Sequence, residues 1–151
     1  MAKDTKQWKR GRGKLGILTP LLGNWQAKTD TERGPVACFR SFFPILKGKF
    51  IQLNARWEFA RGNYEETAIM GINSDGEVTF WSFTSDGKNS VGILKEVTDI
   101  HPEAIGFEAN MPAGLARMIY WPDGEAGFYW AVEAGVKTGW RRFTEQHYRR
   151  V

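Results

Sequence analysis

The chain has 151 residues, 42% of them hydrophobic and 14% aromatic, with seven Trp, ten Phe and a net charge of +4. That is enough for one domain with a real core, and no apolar run approaches the ~20 residues needed to cross a bilayer as a helix. Cys38 is the only cysteine, which excludes an internal disulfide and a structural zinc site, and fits a reducing compartment.

Residues 1–14 carry Lys3, Lys6, Lys9, Arg10, Arg12 and Lys14 against Asp4, a balance of +5, and the rest of the chain sums to −1. The body is therefore close to neutral and is not expected to capture nucleic acid. The basic stretch has no apolar segment behind it, so the expectation is a cytoplasmic protein with a flexible leader over 1–14 and one domain over 15–151. Gly11-Arg12-Gly13-Lys14-Leu15-Gly16 spells a dinucleotide fingerprint. That motif works only between a strand and a helix, and neither is predicted there.

Leu15 to Leu22 is short, apolar and interrupted by Pro20, which limits it to a helical turn. Ten extended runs follow, over 22–32, 36–46, 49–60, 64–73, 77–84, 89–98, 104–110, 115–121, 126–134 and 138–149. Asp-Gly pairs at 75–76, 86–87 and 123–124 supply the positive φ that tight hairpins need. In the third run Ile51, Leu53, Ala55, Trp57 and Phe59 alternate with Gln52, Asn54, Arg56 and Glu58, the period of a two-faced antiparallel strand. The connections are too short for crossover helices, and a ten-strand meander removes its edges only by closing. The predicted fold is all-β, an up-and-down antiparallel barrel of about ten strands with a short N-terminal helical turn.

Gly23-Asn24-Trp25 resembles the Gly-x-Trp signature of the calycin superfamily, which includes lipocalins, fatty-acid-binding proteins and nitrobindin-type haem barrels. The span from about Leu18 to Arg150 resembles a bacterial lipocalin-like family of unknown function. The resembling segments are Leu21 to Trp25, Gly71-Ile72-Asn73 leading to Trp81, and Trp140 through Phe143 to His147-Tyr148-Arg149-Arg150. The resemblance implies a barrel whose Trp25 closes one end beneath a basic residue of the last strand. Arg141, Arg142, Arg149 and Arg150 are the candidates, Arg149 the one chosen. It implies no activity, since fold does not carry function.

Three functional readings follow. In the first, the interior binds a small, mostly apolar molecule, with Trp57, Phe59 and Trp130 as wall and Arg117 or Arg142 as polar anchor. Arg142 and Tyr148, with Arg40 and Arg117, are also the residues for a carboxylate clamp like that of the fatty-acid-binding proteins, although their Arg-x-Tyr spacing is absent from the last strand. In the second, resemblance to the nitrobindins makes His147 an axial haem ligand. Strict alternation puts His147 with Phe143 and Glu145 on one face, and Trp140, Arg142, Thr144 and Tyr148 on the other. In the third, side chains fill the barrel, and the protein is an interaction module, a homodimer through an exposed edge or an aromatic patch. No catalytic constellation is present: Glu65 and Glu66 point to opposite faces, and there is no nucleophile elbow or phosphate loop. No cofactor and no metal site is expected outside the haem alternative.

Overall fold

Each extended run becomes a strand. The computed structural model describes residues 8–32 and 34–151, and orders them as β1 (Gly23–Thr31), β2 (Gly34–Ile45), β3 (Phe50–Phe59), β4 (Gly62–Ile72), β5 (Val78–Thr84), β6 (Asn89–Lys95), β7 (Ile105–Met111), β8 (Gly114–Pro122), β9 (Phe128–Val136) and β10 (Gly139–Arg150). Every strand pairs antiparallel with its sequence neighbours, and β1 pairs with β10 to close the barrel. Closure leaves no unpaired sheet edge, which is what so long a meander requires.

Alternation decides what points inward. Val36, Cys38, Arg40 and Phe42 of β2 are buried, as are Ile51, Leu53 and Ala55 of β3 and Ala68 and Met70 of β4. Burying each large apolar side chain contributes about 2 kcal/mol, so the inward rows supply the main cohesion.

One end is closed by a 3-10 helix over Lys14–Leu21, whose Leu18 and Leu21 are fully buried. Trp25 Nε1 donates to the Leu21 carbonyl at 2.7 Å, and the Arg150 guanidinium carbon lies 4.2 Å from the indole centroid. The basic partner of Trp25 is thus Arg150, not Arg149. Parity is the reason: Arg150 pairs with Trp25 across the β1–β10 ladder, whereas Arg149 pairs with Gln26 on the opposite face. Gly23 sits at φ 127°, and a Cβ there would run into the Arg150 guanidinium, which explains the glycine of the signature.

Residues 1–7 of the expected leader lie outside the described residues. From Trp8 onward the chain rests on this closed end, with Trp8 Nε1 donating to the Glu103 carbonyl at 2.9 Å and its ring 6.3 Å from Phe128. The glycine-rich stretch folds on itself, Gly11 N–H donating to the Gly16 carbonyl at 2.8 Å.

Two local departures from simple alternation matter for function. First, β6 ends at Lys95, before the end of the extended run at 98. The segment beyond it lies against the outer wall, with Val97 almost fully buried where Gly106 leaves no room for a Cβ. Second, β10 carries a bulge at Phe143, between the pairs Arg142↔Glu133 and Thr144↔Val132. A bulge inserts one residue and resets the parity after it. Trp140 and Arg142 therefore share the outer face with Glu145 and His147, while Thr144, Gln146 and Tyr148 face inward.

Candidate functional site

The inward positions of β2, β3, β8, β9 and β10 converge on one buried cation. Arg40 is fully buried. Its Nε donates to Tyr148 Oη at 3.2 Å and its Nη1 to Tyr120 Oη at 3.0 Å. The guanidinium carbon lies 4.4 Å from the Trp130 ring centroid, 5.5 Å from Trp57, and 5.7 Å from each of Tyr120 and Tyr148. Four aromatic faces thus stand where a carboxylate would be expected around a buried arginine.

A chain of hydrogen bonds leads away from this box. Tyr148 Oη donates to Gln146 Oε1 at 2.6 Å, and Gln146 Nε2 donates to Cys38 Sγ at 3.1 Å. On the β4–β5 side, Ser82 Oγ donates to Glu66 Oε2 at 2.5 Å. Among the described residues two buried side-chain donors have no acceptor: Arg40 Nη2 and Trp130 Nε1.

The electrostatics follow from burial. Desolvation pushes the Tyr148 phenol up to about 12, although the Arg40 cation opposes it, and pushes Tyr120 well above the usual phenol range. It also pushes the Cys38 thiol up to about 11, against the pull of Arg40. At neutral pH the phenols and the thiol are uncharged, and Cys38 is a poor nucleophile. Burial works against the Arg40 cation, but the Glu66 carboxylate and the hydrogen bond to Tyr148 Oη hold the guanidinium in its charged form.

Magnitudes decide what this arrangement is suited to. Withdrawing a cation from water costs several kcal/mol, and a desolvated cation–π contact returns about 2 kcal/mol. Each buried donor without an acceptor costs a further 1–3 kcal/mol, roughly. The aromatic box offsets part of this, and an acceptor for Nη2 would offset much of the rest. Chemically the arrangement is a desolvated cation with aromatic walls and a free donor, a set of groups able to take an anionic acceptor.

No family model matches the chain, and no curated protein does. Among solved structures it is similar to a de novo designed fluorescence-activating β-barrel, at 17% sequence identity and a TM-score of 0.42, over 64% of this chain and 86% of that one.

The residues singled out from the sequence fall into two groups. Trp57, Trp130 and Tyr148 meet in the interior, the two indoles 6.2 Å apart. Phe59 ends β3 and is 38% exposed, at the opposite end from the 3-10 helix. Arg117 and Arg142 do not supply the interior anchor. Arg117 faces outward, buried beneath Trp140, with its Nη2 2.7 Å from Asp99 and 2.8 Å from Glu133. Arg142 is brought to the same outer face by the Phe143 bulge, 2.8 Å from Glu133 and 2.7 Å from Glu145.

His147 is also on the outer face. Its ring stacks on Tyr129 at 4.4 Å, and its Nε2 lies 2.8 Å from Asp123 Oδ2. It cannot reach a haem held inside the barrel, so the axial-ligand expectation fails on geometry. Among the described residues no cluster of His, Cys, Asp and Glu could hold a metal ion.

Sequence reasoning gave Arg40 only a supporting place in a clamp, counted Tyr120 only as one of many aromatics that could line the interior, and gave Gln146 and Cys38 no place in the site. The signal for Arg40 was present: it stands at the i+2 spacing between Cys38 and Phe42, inside an apolar row. For Tyr120 no comparable signal exists, because both faces of β8 are buried around it.

Proposed function

We propose that the barrel interior binds a small, mostly apolar molecule bearing one acidic group, with Arg40 as its anchor. The observation that supports this is the pair of buried donors without acceptors, Arg40 Nη2 and Trp130 Nε1, on a guanidinium compensated by aromatic rings. The acid group would accept from both donors, and its apolar body would lie along Trp57 and the neighbouring inward side chains. Desolvation would supply the affinity, and the charge-assisted hydrogen bond the orientation.

The test is a tryptophan-fluorescence titration with an apolar carboxylic acid and its methyl ester, such as parinaric acid and methyl parinarate. Saturable quenching by the acid, weaker quenching by the ester, and loss of that preference in Arg40→Met are expected. A flat titration with both probes, or equal affinity for acid and ester in the native protein, sinks the reading.

A further inference from the structure

The Arg40 box occupies one side of the interior, and a second charge faces inward from β4. The ladder registers set Arg40, Ala55, Glu66 and Thr84 in one inward row across β2–β5. Parity along β4 gives the direction: Glu66 shares a face with the buried Ala68 and Met70, whereas Glu65 pairs with Arg56 on the outer wall. Arg40 and Glu66 are two strand spacings apart, about 9.6 Å between backbones, and the methyl group of Ala55 fills little of the space between them. Among the described residues Glu66 has no ion-pair partner, and the one hydrogen bond to its carboxylate comes from Ser82 Oγ at 2.5 Å. Ser82 in turn pairs with the inward Ser90 of β6. Thr84, the neighbour of Glu66 in the row, directs its hydroxyl to Asp86 and the Lys88 carbonyl instead.

The interior is therefore bipolar. One side presents a guanidinium with aromatic walls and a free Nη2 donor, and the β4–β6 side presents a carboxylate with two serine hydroxyls. The two charges act on each other through the interior, since the Glu66 carboxylate helps to keep Arg40 charged. A plain anion docked on Arg40 would take up that cation and leave Glu66 as an uncompensated like charge nearby, in a space of low dielectric. A zwitterion removes the conflict, because it brings a cation for Glu66 together with an anion for Arg40. We infer that the interior ligand carries a cationic amine as well as its acid group, with Glu66 and Ser82 as the anchor for the ammonium and Arg40 as the anchor for the carboxylate. An ammonium has three donors, which the Glu66 carboxylate and the lone pairs of the serine hydroxyls can accept. A neutral hydroxyl on the ligand would use one of these acceptors and leave the negative charge unbalanced. The inference rests on the reading of Arg40 as an acid anchor and adds the chemistry of the ligand's second polar group.

Isothermal titration calorimetry on the full chain tests it, with hexanoic and octanoic acid and their ω-amino derivatives as probes. The native protein is compared with Glu66→Gln and Arg40→Met. Gln keeps the size of the side chain and still accepts from Ser82, so Glu66→Gln should retain the native circular dichroism spectrum. It is expected to weaken binding of at least one ω-amino acid by about tenfold or more, the loss of one charged hydrogen bond. The matching plain acid should bind that variant as well as before or more tightly, and Arg40→Met should weaken both. Plain acids that bind through Arg40, with a ratio of amino acid to plain acid that Glu66→Gln leaves unchanged, overturn the inference and leave the Arg40 reading standing. Plain acids that bind where no amino derivative does have the same meaning, and Glu66 would then be a structural partner of Ser82 only. Binding of neither class removes both readings together.

Discussion

Arg40 and Arg117 are two buried arginines on opposite sides of the same barrel wall, and they are compensated in opposite ways. Arg117 has a carboxylate on either side, Glu133 and Asp99, and the indole of Trp140 over it. Arg40 has two phenols, two indoles and a free Nη2. The outer cation is saturated and holds the 96–104 segment and β10 to the wall. The inner cation is under-satisfied in a place that water reaches poorly. A folded chain tolerates the first for stability alone, whereas the second is an arrangement that gains from a partner. Equal burial therefore does not mean equal role.

The sharpest way to break the comparison is at Glu133, which bonds to both Arg117 and Arg142. Glu133→Ala leaves Arg117 buried with only the half-exposed Asp99, and breaking one partner out of a buried pair costs about 3 kcal/mol or more. Urea unfolding followed by circular dichroism should show that loss. A change well under 1 kcal/mol would mean that the outer network is ornamental and the contrast with Arg40 is empty.

The two regions should also fail at opposite ends of the pH scale. The Tyr148 phenol is neutral in the folded barrel and held up at about 12, above its ordinary value near 10. Stability from a raised group is complete below the unfolded value and is lost as pH rises through the folded one. The interior should thus loosen between about pH 10 and 12, by up to about 3 kcal/mol for this one proton. Tyr120 adds to the same trend. Outside, the hydrogen bond from Arg117 holds the Asp99 carboxyl below its usual range. Its contribution is present above the ordinary carboxylate range and fades only as pH falls through the depressed value. Unfolding midpoints measured against pH should show the alkaline loss reduced in Tyr148→Phe and the acid loss reduced in Arg117→Met. An alkaline limb identical in Tyr148→Phe would remove Tyr148 from the account.

The fold was legible because alternation and turn chemistry are local. Ile51 to Phe59 declares its two faces, and three Asp-Gly pairs mark hairpin positions without reference to the rest of the molecule. The site was legible only in part, because its members are set by parity, and one bulge at Phe143 reversed the faces of Trp140 and Arg142. That single residue moved Arg142 from the expected interior clamp to the outer network. Parity also separates Arg149 from Arg150 at Trp25. The outward burial of Arg117 is harder still to foresee, since it depends on Asp99 arriving from a segment that reads as the end of a strand.

The smallest expected effect on stability comes from the residue proposed to matter most for binding. Arg40→Met removes a buried cation and replaces it with an apolar chain that fits among Trp57, Trp130, Tyr120 and Tyr148. Two hydrogen bonds and the cation–π contacts are lost, but so is the desolvation cost of the buried charge and of its free Nη2 donor. Tyr148 keeps its bond to Gln146 Oε1, so no new polar group is stranded there. Exchanges of buried charge for well-packed apolar groups are often neutral, and a change within about 1 kcal/mol is expected by urea unfolding. The same substitution at Arg117 leaves the buried Glu133 with Arg142 as its one remaining cation and should cost roughly 2 kcal/mol or more. If Arg40→Met proved as damaging as Arg117→Met, Arg40 would be a structural cation like its outer counterpart, and the case for an interior anion site would fall with the comparison.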